Sequence, residues 1–395
     1  MKSFAIVVVC YNRIEGIKRL LKSIEDVNYA GRKDITLILS VDNSGSDKVV
    51  NFANEYEWPH GEKIVRTFEQ RQGLRKHILQ CGDYTENFDI VVILEDDIFV
   101  SESMYYYAYG AAEKYGEDDR VAGISLFGFQ KNWLNWIYRF EPLKTEYDAY
   151  FLKIAQSWGQ VWTKSKWQDF MTWYKQNIEF SFDPNLPQYL FTWPDSSWLK
   201  YHDRYCIEKD KYFVYPYVSL TTNFSDAGTH NNRTINDHQV ELQFGKYEYR
   251  FPDLCSDSVL YDEYMNPKGL EKNLNLADGS LCVDFYGTKP YTLWEQADYL
   301  LTTQQIQNYQ MVQSFALSLR PLEAAVIKHI SGQGIYLYQI KKGESPILKK
   351  GDKNELLSYE LRTHDGKQLL PFAIHLVTEN IGIKLKKLIK RYIKR

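Results

Sequence analysis

Three consecutive carboxylates, Glu95, Asp96 and Asp97, stand in the stretch VVILEDDIFV (91–100), between two runs of apolar side chains. Like charges this close cost free energy unless a positive group sits among them or water reaches them freely. Three kinds of site fit such a triplet. One is a solvated acidic loop, against which the apolar flanks argue by holding the segment near a core. Another is a phosphatase-like site with an Asp nucleophile at a strand end. That chemistry calls for an Asp-x-Asp spacing followed by Thr or Val and Gly, and EDDIFV has neither. The third is a hard divalent cation, Mn2+ or Mg2+, bridging to a diphosphate. Such ions take oxygen ligands and use one or two carboxylates plus phosphate oxygens. One acid on the metal, with its neighbours bonded to sugar hydroxyls, accounts for the triplet.

The elements that carry these acids follow from hydrophobic periodicity. FAIVVVC (4–10) is a continuous, largely β-branched run, as expected of a strand buried on both faces. After the YNR turn, Ile14, Ile17, Leu20, Leu21 and Ile24 recur at helical spacing. ITLILSVD (35–42), KIVRTFE (63–69) and FDIVVILEDD (88–97) read as further strands, separated by helices at KVVNFANEY and GLRKHILQCGDY. This alternation predicts an α/β fold: a Rossmann-like, open and mostly parallel sheet with helices on both faces. Such sheets bind ligands beyond the carboxyl ends of their strands. Cys10 to Arg13, Asp42 and the three acids all fall at such ends.

Composition narrows the function. The chain has 395 residues, 44% of them hydrophobic and 25% charged, which predicts an ordinary globular protein of two domains. Its net charge of −3 gives no electrostatic footprint for nucleic acid. Five scattered cysteines, without a CxxC pair, argue against a disulfide framework and a structural zinc site, and fit a reducing cytosol. MKSFAIVVVCYNR reads as a first buried strand, since it lacks the small-residue cleavage site of a signal peptide. No apolar run approaches the roughly 18 residues of a membrane span. The 31 Tyr and 10 Trp suit either carbohydrate stacking or an aromatic core.

VVVCYNR, LSVDNSG and VVILEDDIFV together resemble the nucleotide-sugar-binding half of GT-A glycosyltransferases. They are closest to the N-acetylglucosaminyltransferase I family, which also writes Glu-Asp-Asp at this place. QGLRKHI, SWGQVW, WPDSSW and DAGTHN follow in the same order, so the resemblance covers roughly residues 4–235. It implies a nucleotide-sugar donor, with UDP expected, and inversion at the transferred sugar. Cys10, Tyr11, Arg13 and Asp42 would surround the base and ribose, with Gln72 and Gly73 beside the nucleotide. Asp96, and Glu95 with it, would meet ribose or donor sugar, and Asp97 would bind the metal. Asp195 would be the general base, and His230 would lie in a loop closing over the donor. Arg75, with Arg71, is a basic candidate for the diphosphate.

Plainer readings stand beside these. Arg13 also suits a salt bridge at a helix start, and Asp42 an Asx turn. Asp195 equally suits the N-cap of SSWLKYHDRYC, with Asp203 the next candidate base. Trp158 serves either as a sugar platform or as a core anchor, and His230 as a surface histidine.

Past a soft boundary near 240–255 the chain turns to short Tyr-rich segments with turns at NPKG, ADGS and YGTKP. The expected organisation is a GT-A domain at 1–240, a smaller α+β accessory region at 241–380 and a basic tail at 381–395. CVDFYGTKPYTLWEQADYLLT and FALSLRPLEAAVI resemble C-terminal segments of bacterial transferases that build surface polysaccharides. In the tail, Leu385, Leu388, Ile389 and Tyr392 keep helical spacing among seven Lys and Arg and no acid. That is the pattern of an amphipathic helix on an anionic membrane surface. It fits a peripheral enzyme at the cytoplasmic face of the membrane whose acceptor is a glycan or lipid-linked glycan. The rival functions are a sugar-phosphate nucleotidyltransferase, whose Gly-rich Arg loop CYNRIEGIKR does not supply, and a non-catalytic membrane-binding protein on a degenerate transferase fold.

Overall fold

The computed structural model describes residues 1–184, 186–224, 236, 238–255, 257–349 and 355–361, with a few positions between 366 and 378. The expected basic helix at 381–395 lies outside these residues.

Strand β1 (Phe4–Cys10) is buried along its whole length. Ala5, Val7 and Val9 enter one apolar layer, while Phe4, Ile6, Val8 and Cys10 enter the other. Each fully buried Val, Ile or Leu contributes about 1.5–3 kcal/mol. A slip of one residue would exchange the two faces, so a strand clad on both sides has a firmly set register. Helix α1 (Ile14–Glu25) follows, then β2 (Ile35–Val41), α2 (Lys48–Glu55), β3 (Lys63–Thr67), α3 (Leu74–Gly82), β4 (Ile90–Glu95), β5 (Ile98–Val100) and α4 (Met104–Tyr115). The apolar stripes of α1, α2 and α4 cover one face of the sheet. Those of α3 and of α5 (Lys164–Gln176) cover the other.

The remaining strands are β6 (Val121–Ser125), β7 (Ala149–Leu152), β8 (Gln160–Trp162), β9 (Tyr212–Pro216), β10 (Thr221–Asn223) and β11 (Leu260–Tyr261), with helices α6 (Tyr189–Thr192) and α7 (Leu199–Glu208) between β8 and β9. The main sheet has nine strands in the order β11-β7-β9-β6-β8-β4-β1-β2-β3. β3, β2, β1 and β4 run parallel, and β8 runs antiparallel to both of its neighbours. The mostly parallel sheet read from the sequence is therefore present. SWGQVW contributes the central strand β8. Three residues entered from Gly159 at φ 103° are too few to display a strand period. β9 joins the large sheet, while β10 pairs with β5 directly after the acids.

A second sheet is built from β12 (Leu281–Asp284), β13 (Tyr299–Thr302), β14 (Gln310–Ala316) and β15 (Gly334–Gln339), in the order β12-β13-β15-β14. Val283, Leu301, Phe315, Ile335 and Leu337 from it share an apolar layer with Tyr150, Tyr215 and Tyr261 of the large sheet.

Candidate active site

The parallel register brings the ends of β1, β2 and β4 together, with Cys10 beside Val41 and Val9 beside Glu95. Past those ends, the Asp42 N–H donates to Cys10 O at 2.9 Å. The Asp42 carboxylate is buried and accepts from the N–H groups of Asn43 (2.8 Å), Gln72 (2.7 Å) and Gly73 (3.0 Å). Three donors compensate the buried charge and draw the loop before α3 up to the end of β2. Gly73 turns that loop into the helix at φ 76°, a conformation glycine adopts without steric cost. Cys10 is buried, its thiol 3.6 Å from Val8 O. The Gln72 side chain donates to Gln70 O at 2.6 Å. The Arg71 guanidinium lies 5.0 Å from the centre of the Tyr11 ring, and Arg75 donates to the Tyr201 hydroxyl at 2.9 Å.

Beside this loop, Arg13 reaches the acids. Its Nη1 donates to Asp97 Oδ2 at 3.0 Å, and its Nη2 is bonded to Asp96 Oδ1. The salt-bridge reading of Arg13 is thus realised. Burial works against its charge, yet Asp96 and Asp97 hold its pKa above the ordinary arginine value. Burial pushes Asp96 up to about 6 even against the pull of Arg13. Glu95 is pushed up to about 8, by burial first and then by Asp97 and Asp96, so without a bound cation it keeps its proton at neutral pH.

Asp97 Oδ1 is buried and has no hydrogen-bond partner. An unsatisfied buried carboxylate oxygen is costly unless a ligand completes it. Among the described residues, no group of three or more His, Cys, Asp or Glu gathers into a protein-only metal cage. The residues present therefore fit an ion held by one carboxylate, with its other ligands coming from phosphate and water.

One residue not singled out in the sequence sets the acids in place. A Cβ on Gly16, in the first turn of α1, would stand 2.6 Å from the backbone oxygen of Asp96. Only glycine allows α1 to approach the acidic turn this closely. Gly16→Ala is expected to cost about 1–3 kcal/mol through overpacking, measured by urea denaturation, and to loosen the acid pair. A variant as stable as the parent contradicts this close packing. A glycine inside an otherwise amphipathic helix was the available signal, since glycine there is unfavourable without a packing reason.

The rim opens onto a cleft of about 290 Å3 lined by Glu95, Ser157, Trp158, Trp133, Trp193 and Trp198, among others. Trp158 is part core and part cleft wall. It packs edge-on against buried Phe127, with centroids 4.8 Å apart, and still lines the cleft. His238, also unforeseen, lies over Trp158 at 4.2 Å. It sits in a polar stretch without periodicity, so nothing in its sequence context marked it.

The Asp195 side chain is fully exposed and stands 3.1 Å from Lys200 Nζ. Its neighbours Pro194, Ser196 and Ser197 line the cleft. Asp195 does not cap α7, which starts at Leu199 with no side-chain cap. Asp203 is buried, accepting from Ala155 N at 2.6 Å and the Tyr189 hydroxyl at 3.0 Å, which ties α7 to α6 and to the loop after β7. His230 lies outside the described residues. Phe224, the last described residue before it, donates its N–H to Asp97 O at 2.8 Å.

Residues 5–173 match the family model described as glycosyl transferase family 2. This stretch, about two fifths of the chain, is a glycosyltransferase domain, as the broader GT-A resemblance implied. No curated protein matches the chain. Among solved structures, S. aureus TarS is 13% identical at a TM-score of 0.32, with 46% of this chain and 30% of that one covered. TarS 1-349 in complex with UDP is 11% identical at 0.34, covering 54% and 60%. The mannosyltransferase PcManGT from Pyrobaculum calidifontis, in complex with GDP-Man and Mn2+, is 16% identical at 0.30, covering 42% and 45%. The chain thus spans less than two thirds of the length of each of these structures. At TM-scores this low, the GT-A fold rests on the family match and on the chain's own sheet.

Proposed function

We propose that this chain transfers a sugar from a nucleotide-sugar, with UDP the expected nucleotide, to a glycan or lipid-linked glycan acceptor, inverting the anomeric carbon. One observation carries the reading: Glu95, at the end of β4 where β1, β2 and β4 come together, lines a tryptophan-rich cleft, and two residues further on Asp97 keeps a buried Oδ1 without a hydrogen-bond partner. Ligands of open α/β sheets lie at such strand ends.

In this reading Tyr11, Arg13, Asp42, Gln72 and Gly73 frame the nucleotide, and Arg75 adds positive charge in the first turn of α3. Glu95 and Asp96 bond sugar hydroxyls, while the Trp158 face supports the sugar ring. Mn2+ or Mg2+, held by Asp97, would neutralise the charge developing on the departing diphosphate, an effect of several kcal/mol. Asp195, on the cleft rim, removes the proton from the attacking acceptor hydroxyl. Attack opposite the leaving group turns an α-linked donor into a β-glycoside.

A thermal-shift series of nucleoside diphosphates and UDP- or GDP-sugars with Mn2+ tests the donor class. UDP ligands are expected to raise the melting temperature most, since a ligand at 100 times its Kd adds about 2.7 kcal/mol. No shift with any nucleotide contradicts the reading.

The same reading makes residues 241–380 an accessory region and 381–395 a membrane contact in surface polysaccharide synthesis. Among the described residues no helix is long and apolar enough to cross a membrane. Each basic residue near an anionic surface contributes about 1 kcal/mol. Deleting 381–395 is therefore expected to release the protein from phosphatidylserine-containing vesicles in a flotation assay and leave donor hydrolysis intact. Unchanged flotation refutes the membrane contact.

A further inference from the structure

We infer that Arg13 is an internal counter-ion that must release Asp97 before a divalent cation binds, so that metal loading is an exchange of arginine for metal. The inference rests on the proposed metal role of Asp97.

Arg13 spans two carboxylates, Nη1 on Asp97 Oδ2 at 3.0 Å and Nη2 on Asp96 Oδ1. The Asp96 and Asp97 side chains are only 4% and 16% exposed, so water does little to screen them from each other. With Glu95 they make three acids in succession, and the guanidinium supplies the charge that lets the turn form without a metal.

The backbone that carries the two acids is held in place. Asp96 O is packed against Gly16, and Asp97 O accepts the Phe224 N–H at 2.8 Å. Arg13 is the movable member: it stands just before α1, and its side chain is 27% exposed. The unsatisfied Oδ1 belongs to the same Asp97 carboxylate whose other oxygen holds Arg13. A divalent ion arriving there meets the guanidinium at close range, and like charges at that distance repel. Arg13 then gives up Asp97 and keeps Asp96.

Mn2+ binding without nucleotide tests the exchange, read from the loss of the free-ion EPR signal on titrating the full chain. Arg13→Met is expected to bind Mn2+ more tightly than wild type by about 5–150-fold, the usual size of such couplings. Arg13→Lys, which keeps the charge but loses the fork, is expected to fall between them. Arg13→Met with equal or weaker affinity, or with no Mn2+ bound, overturns the inference.

Melting temperatures supply a second readout. Without metal Arg13→Met should melt below wild type, and Mn2+ should raise it by more than it raises wild type. A variant that melts low and gains no more than wild type from Mn2+ overturns the inference as well. Wild type with UDP separates the two claims. If that complex binds no Mn2+, the metal reading itself falls. If it binds Mn2+ while Arg13→Met behaves as wild type, only the exchange falls.

Discussion

Asp97→Ala is expected to lower sugar transfer by about three orders of magnitude or more at saturating Mn2+, corresponding to roughly 4 kcal/mol of lost transition-state stabilisation. Asp97 Oδ1 is buried beside the strand ends without a hydrogen-bond partner. No group of three or more metal-binding side chains among the described residues stands ready to replace it. The effect should fall on turnover, because charge on the diphosphate grows as the bond to the sugar breaks. Folding should survive, since alanine removes one of three crowded acids and Arg13 retains Asp96. Turnover is read with a UDP-sugar and Mn2+, and foldedness by circular dichroism. A variant within tenfold of wild type, or wild type fully active in EDTA, would remove the cation from the account.

Asp195→Asn is expected to reduce kcat by about 10²–10⁴-fold, the usual range for loss of a general base, with donor KM nearly unchanged. Asparagine keeps the size of the side chain and its place on the rim, but it cannot accept the acceptor's proton. The fully exposed carboxylate and its Lys200 partner contribute little to folding, so the variant should stay folded. Loss of donor affinity at unchanged kcat would instead give Asp195 a structural role at the cleft rim.

The first hundred residues were legible because each strand there is an unbroken apolar run and each helix a clear stripe. FAIVVVC and VVILE are buried on both faces and announce it. The gathering of Asp42 with Gln72 and Gly73 was legible only through a family resemblance, since the loop is drawn in by backbone N–H groups that every residue type carries. β8 escaped because three residues show no period, and Gly16 because its packing partner is a backbone oxygen 80 residues further on. Of the two readings of Arg13, the salt bridge is observed, while its place beside a nucleotide belongs to the proposed function. Its double hold on Asp96 and Asp97 depends on side-chain reach across the sheet end, which periodicity does not report.

The most direct test of the central claim is a crystal of the chain soaked with UDP and Mn2+. The account predicts the ion on Asp97, the diphosphate beside it at the ends of β1, β2 and β4, and Arg13 withdrawn from Asp97. Nucleotide bound elsewhere, or Asp97 still closed on Arg13 with no ion at Oδ1, would contradict it.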